Sequence, residues 1–167
     1  MTTGTEGIAM VLDRQVGFST EGCQYLTFIL GEEHYGVEIL RVQEIKGYTA
    51  VTRIPNTPGY IKGVLNLRGT IVPIMDLRTK FGMERIDYTR FTVIVVVVVR
   101  ERVVGIIVDA VSDVLDIPKK EIQPPPRFGS SVDAGFISGI GKCGEKLVAL
   151  LDIDHVLSDA EVDTVTM

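Results

Sequence analysis

The chain repeats itself. Displaced by 69 positions, it lays Gly36 on Gly105, Val37 on Ile106, Ile39 on Val108 and Val42 on Val111. The same displacement lays Glu44 on Asp113 and Ile45 on Val114, and residues 25–30 on 94–99. Further on the displacement is 76. Ile61 meets Ile137, Gly63 meets Gly139, Val64 meets Ile140, Ile74 meets Leu150, Asp76 meets Asp152 and Leu77 meets Ile153. The difference falls in a connecting loop that holds Pro124-Pro-Pro126. Apolar matches alone would carry little, because 46% of the chain is apolar. Glycine and aspartate pairs in one order carry more, since glycine marks backbone demands and aspartate marks helix caps. The sequence therefore predicts a duplicated unit.

Each unit has the texture of β structure. Tyr25-Leu-Thr-Phe-Ile-Leu30 reads as a strand and Gly31-Glu-Glu-His34 as a polar turn. Tyr35-Gly-Val-Glu-Ile-Leu-Arg-Val-Gln-Glu-Ile45 reads as a second strand, although Val37, Leu40, Arg41 and Glu44 also suit a helix face. Thr57-Pro58 predicts one helical turn through Lys62. Residues 63–69 and 70–75 read as a hairpin bent at Arg68-Gly69. Asp76 predicts the cap of a short helix over residues 77–81, ended by Gly82. The apolar run over residues 91–99 falls far short of the roughly 20 residues that span a bilayer. It reads as a buried strand flanked by Arg90, Arg100 and Arg102. Residues 152–164 have helical spacing. About five short strands per unit suit a small closed barrel better than a sandwich. The expected organisation is a flexible leader over 1–22, one barrel over 23–90, a second over 91–155, and a C-terminal helix and tail over 156–167.

Charge and chemistry narrow the functional classes. Lys and Arg total 17 against 22 Asp and Glu, for a net charge of −5. Neither nucleic acid nor an anionic membrane is an expected partner of such a chain, since both are polyanions. Cys23 and Cys143 have no metal-ligand spacing and read as reduced thiols of a cytoplasmic protein. No signal peptide is visible in the first 22 residues. His34, in the expected turn, and His155, on the expected helix, have no catalytic neighbour at a motif spacing. GxSxG, Walker A, GxGxxG and HExxH are all missing. No catalytic residue, metal or cofactor is expected. The glycine-rich stretch 135–141 reads as turn glycines. Asp76 and Asp152 read as two copies of one cap, and Asp109, Asp113 and Asp116 as solvated surface.

The copies part at Asn66-Leu-Arg68-Gly69, whose counterpart is Lys142-Cys-Gly-Glu145, with Gly144 opposite Arg68. Arginine offers a planar, always-charged fork suited to protein interfaces. Arg68 can equally solvate a hairpin tip or pair with an acid such as Glu44.

Asn66-Leu-Arg-Gly-Thr-Ile-Val-Pro-Ile-Met-Asp-Leu-Arg78 closely resembles the signature of the CheW family of chemotaxis coupling proteins. So do residues 35–45, Val51-Thr-Arg-Ile-Pro-Asn-Thr-Pro58 and Val104-Gly-Ile-Ile-Val-Asp-Ala-Val-Ser-Asp-Val114. The resemblance covers about residues 23–157. It implies two five-stranded SH3-like barrels with a few short helices, and no active site. It implies an adaptor that joins the cytoplasmic tips of chemoreceptors to the regulatory domain of the chemotaxis histidine kinase. Family positions for the receptor match Val42, Glu44, Gly63 and Val114, together with Asn66, Arg68 and Gly69, around a groove between the barrels. Family positions for the kinase match Gln123 and Phe128, the latter an exposed anchor unless it belongs to the second barrel's core. The uniform Val95–Val99 stretch and the Pro-Pro-Pro run depart from the family pattern. A CheW-like module of a larger signalling protein and a small β-barrel hydrolase remain as alternatives.

Overall fold

Four two-residue turns organise the strands. The computed structural model describes residues 23–84, 86–125 and 136–157. In chain order come β1 (Cys23–Leu30), β2 (Glu33–Glu38), a 3-10 turn (Ile39–Arg41), β3 (Val42–Gly47), β4 (Ile61–Leu67), β5 (Thr70–Asp76) and the single-turn helix α1 (Leu77–Lys80). Then come β6 (Val93–Val99), β7 (Arg102–Val108), β8 (Ala110–Ile117), a second 3-10 turn (Lys119–Glu121), β9 (Ile122–Gln123), β10 (Ile137–Cys143), β11 (Lys146–Leu151) and α2 (Ile153–Val156). Arg68 and Gly69 take φ of 52° and 90°, and Arg100 and Glu101 take 50° and 69°. Left-handed pairs of this kind make the hairpin turn that matches strand twist. A non-glycine residue there costs about 1–2 kcal/mol. Each fully buried Val or Ile contributes about 1.5–3 kcal/mol, so the buried strand β6 outweighs its own strained turn.

The strands form a six-stranded sheet in the order β8-β1-β2-β11-β10-β9 and a five-stranded sheet in the order β3-β6-β7-β5-β4. Under the sequence repeat, β1, β2, β3, β4 and β5 correspond to β6, β7, β8, β10 and β11. That substitution turns one sheet's order into the other's. Duplication is thus visible in three dimensions, as two small SH3-like barrels. Each sheet takes its central hairpin from one copy and its flanking strands from the other. The junctions are parallel, β2 with β11 and β5 with β7. The matched glycines sit there. A Cβ on Gly105 would lie 2.6 Å from Ile74 Cδ1, and one on Gly36 would lie 3.1 Å from Leu150 Cδ2. Ile74 and Leu150 are themselves repeat partners, so each copy's glycine makes room for the other copy's side chain.

The expected boundary at residue 90 is therefore not the boundary between the barrels. The five-stranded barrel is the continuous segment from β3 to β7. The six-stranded barrel joins β1 and β2 to β8 through β11. Periodicity locates strands but does not say which copy a strand pairs with, and that is where the expectation failed.

Three apolar clusters form among the described residues. The largest lies between the sheets and draws on both, including Leu26, Phe28, Val95, Val97, Ile106 and Leu151. Val72, Ile74, Ile94, Val96 and Ile107 form the interior of the five-stranded barrel. Tyr25, Ile117, Val148 and Leu150 form that of the six-stranded one. Strand β6 explains the uniform valine run: its odd residues face the shared core and Ile94 and Val96 face the barrel interior. Both faces are buried, so no alternation appears.

Several local expectations change. The strand over 35–45 is broken by the 3-10 turn, where Ile39 is buried and Leu40 is 75% exposed as the chain passes from one sheet to the other. His34 lies within β2 rather than in a turn. The turn after Pro58 closes on Ile61, which already belongs to β4. Gly139 and Gly141 lie within β10, where neighbouring side chains press on them, and are not turn glycines. The helix predicted from Asp76 forms, with Gly82 at φ 73° ending it. Of the C-terminal helix, Ile153–Val156 is described. The leader, the tail beyond 157 and Phe128 lie outside the described residues. No helix among the described residues is long and apolar enough to cross a membrane.

Reciprocal exchange predicts that halves cut at residue 90 cannot close their sheets alone. Expressed separately, each is expected to be largely unstructured, and mixing them should restore the β signal in circular dichroism. A fully folded isolated first half would contradict this.

Candidate functional site

The five-stranded sheet coils until its edge strands meet. Thr52, in the connection after β3, exchanges two backbone hydrogen bonds with Val64 of β4, at 2.9 and 2.8 Å. That approach requires Gly63, which has φ of 150° and whose Cβ would lie 2.1 Å from the Thr52 carbonyl oxygen. At the end of the same barrel, the turn Arg68-Gly69 is tied down by Asn66, whose Oδ1 accepts the Gly69 N–H at 2.8 Å. Arg68 then reaches across to β3 and its Nη2 pairs with Glu44 Oε2. The arginine side chain is 71% exposed and the glutamate 26%. A pair this open contributes at most about 1 kcal/mol to stability. Its value is the orientation it gives to a cation on a rigid turn.

Glu44, Asn66, Arg68 and Gly69 thus converge on one barrel end. Val42, on the same edge strand as Glu44, is half-buried against the shared core. Val114 is half-buried on β8, the edge of the other sheet, and packs against that same core. Val42 and Val114 therefore pack against one shared cluster from the edges of different sheets, each still partly open to solvent. Gly63 serves the backbone. Gln123 is exposed on the two-residue edge strand β9, away from this cluster in the sheet order.

Two ion pairs were not legible in the sequence. Arg78 Nε and Nη2 each lie 2.8 Å from the Asp109 carboxylate, which also accepts the Gly31 N–H at 2.8 Å. Asp109 is thus a buried-side anchor, not solvated surface, because it sits where β7 crosses into β8 beneath α1. Arg41 pairs with both oxygens of Asp154, each at 2.8 Å, where β2 crosses into β3. Asp154 is the repeat partner of Arg78, and Asp109 stands next to Ala110, the repeat partner of Arg41, so the copies clamp equivalent crossovers with opposite charges from residues offset by one position. The displacement of 76 that aligns Asp76 with Asp152 also aligns Arg78 with Asp154 and was the available signal. Burial pushes the Asp109 carboxyl up, but the Arg78 hydrogen bond, the Gly31 N–H and the guanidinium charge outweigh it and hold it below the ordinary value. The Arg41 hydrogen bond does the same for Asp154.

Comparisons with known proteins agree with this architecture. Residues 24–161 match the family model of the CheW-like domain. The chain is 50% identical over 143 residues to chemotaxis protein CheW of Klebsiella aerogenes, covering 86% of each. It is 30% identical to chemotaxis protein CheW of Bacillus subtilis, over 81% of this chain and 87% of that one. The solved structure of scaffolding protein TtCheW from Thermoanaerobacter tengcongensis superposes with a TM-score of 0.78 at 33% identity, covering 84% of this chain and 95% of that chain. Paired, interlocked barrels of this build are those of the chemotaxis scaffolding proteins. The chain belongs to the CheW family.

Two outcomes follow from this geometry. Asp109 has a lower carboxyl pKa folded than unfolded, so its stabilisation is present above the unfolded value of 3.8 and is lost as pH falls below it. Asp109→Asn should cost about 2 kcal/mol near neutral pH and flatten the acid limb of a urea-measured stability profile. An unchanged acid limb would remove Asp109 from the clamp. Gly63→Ala should lose about 2 kcal/mol or more by forcing the Thr52 segment off β4, read as a shifted urea midpoint. Unaltered stability with impaired partner binding would make Gly63 a contact residue.

Proposed function

We propose that this protein is a non-catalytic cytoplasmic adaptor that couples the tips of transmembrane chemoreceptors to the regulatory domain of the chemotaxis histidine kinase. One observation carries the reading. The repeat preserves the scaffold and changes the barrel end, pairing Arg68 with Glu44 in one copy where the other has Gly144 and Asp113 at the corresponding positions. Packing does not require that difference, since the second barrel closes without it. A cation fixed on a rigid turn beside apolar edge residues is suited to protein recognition.

In this reading a receptor helical hairpin contacts the end and edge of the five-stranded barrel. Glu44 and Arg68 orient it, and Val42 and Val114 supply apolar contact along the seam. Asn66 and Gly69 fix the turn, and Gly63 lets the Thr52 segment close on β4. The kinase contacts the other barrel, around the exposed Gln123 and the following Phe128. Recruitment to receptor arrays then comes from protein contacts alone, without membrane insertion.

The test is reconstitution of kinase activity on receptor-bearing membranes, with and without the protein. Wild type should restore receptor control. Arg68→Glu sets two carboxylates together and should reduce receptor association about tenfold or more, with the thermal midpoint lowered by no more than about 4 °C. Phe128→Ser should reduce kinase association while sparing receptor binding. Full receptor control without the protein, or with both variants, would refute the adaptor reading.

A further inference from the structure

One strap, between α1 and β6, joins the two repeats. Its first part stays with the first repeat. Arg78 Nη1 donates to the Glu84 carbonyl at 2.7 Å, and the Tyr88 hydroxyl donates to Asp76 Oδ2 at 2.7 Å. Just before β6 the strap reverses. The Thr89 carbonyl accepts the Thr92 N–H at 3.1 Å, the Thr89 hydroxyl accepts the Phe91 N–H at 3.0 Å, and the Thr92 hydroxyl accepts the Thr89 N–H at 2.8 Å. This turn sends β6 back onto β3 of its own chain, where Val93 pairs with Gly47. The turn is held by bonds among its own residues, and Phe91 at its tip is 54% exposed. It is the place where the chain can open without disturbing either repeat.

The contacts between the repeats are complementary and carry no record of which chain they belong to. The first repeat supplies both cations of the clamps, Arg41 and Arg78, and the second supplies both anions, Asp154 and Asp109. Two first repeats would set arginine against arginine, and two second repeats aspartate against aspartate. Gly105 of the second repeat receives Ile74 of the first, and Gly36 of the first receives Leu150 of the second. A first repeat therefore fits the second repeat of any molecule of this chain. Closing on another molecule rebuilds both sheets, the shared core and both clamps. What changes is the turn, so the balance between the two forms rests on the turn and on protein concentration.

We propose that this chain exchanges repeats with a second molecule of itself, the first repeat of each closing on the second repeat of the other, with the Thr89–Thr92 turn as the hinge. The two straightened hinges pass each other about a two-fold axis, which brings the Phe91 side chains together and gives an exposed aromatic an apolar neighbour. Each unit of the exchanged dimer keeps a whole Arg68 end and a whole Gln123 edge. One dimer thus presents two identical sets of binding faces on a tether. The proposal does not depend on what those faces bind.

The test moves charges between molecules. Full-length Arg78→Asp and full-length Asp109→Arg each set like charges at one clamp and should lower the thermal midpoint by about 10 °C. Refolded together from urea, they should form a heterodimer by light scattering, since each of its units then holds opposite charges. Its midpoint should return to that of a single chain carrying both substitutions. A variant that fails to fold alone leaves this readout intact. Two separate monomers at two lowered midpoints overturn the proposal. If the doubly substituted chain does not itself recover, wild type decides. Refolded from urea at high concentration, it should yield a dimer that persists for hours after dilution, because separation requires opening the shared core. Deleting Arg90 and Phe91 removes the tip of the turn and should raise that dimer fraction about tenfold. A wild type that refolds only to monomer, or to a dimer that separates at once on dilution, overturns the exchange.

Discussion

Two parallel strand pairs, β2 with β11 and β5 with β7, hold the two copies inside one another. Parallel neighbours cannot be joined by a tight turn, so each pair brings together segments far apart in sequence. Gly36 and Gly105 make the approach feasible, because any larger residue would meet Leu150 or Ile74. Once the hairpins have crossed, neither sheet is complete without both copies. The shared core between the sheets, the strain tolerated at Arg100-Glu101 and the clamps at the crossovers all presuppose this interlocking.

Interlocking of near-equal halves raises a problem of specificity, and the clamps address it. The elements of one copy are shaped to fit the sites of the other. If α1 occupied the place of α2, Arg78 would face Arg41. If α2 occupied the place of α1, Asp154 would face Asp109. Both are like-charge contacts at partly buried positions, whereas the native arrangement gives two bidentate pairs at 2.8 Å. Reversed charges thus discriminate against the wrong pairing of equivalent parts, as an interface rejects a wrong partner. The repeat aromatics Tyr60 and Phe136 both lie near Lys80, whose Nζ is 4.2 and 5.4 Å from their ring centres.

The unequal legibility of the sequence has physical causes. The duplication, the Arg68-Gly69 hairpin and the Asp76 cap were readable because each depends on residues close in sequence or on matched special residues. The exchange was not, since a shift comparison equates β2 with β7 without saying which β-strand lies beside either. The 35–45 segment kept its alternation through a break, because Ile39 serves the shared core on both sides of the crossover. Asp109 looked like one of several surface acids, and its partner Arg78 lies in another element. At the candidate site, Arg68 was legible as the point where the copies differ. Its contact with Glu44 was one of two readings, and the structure supports both at once: paired to Glu44 and still largely open to solvent.

A common core resists relative displacement of the two sheets that share it. Val42 and Val114 lie on different sheets yet pack against the same cluster, and neither sheet can shift without opening it. Interiors packed at this density transmit displacement without deforming. In the adaptor reading this rigidity is the useful property. A receptor that moves the Arg68 end of one barrel carries the Gln123 edge of the other with it, by a lever fixed in the fold. The six-stranded barrel then needs no chemistry of its own at the place of Arg68, and Gly144 there keeps only what the turn requires.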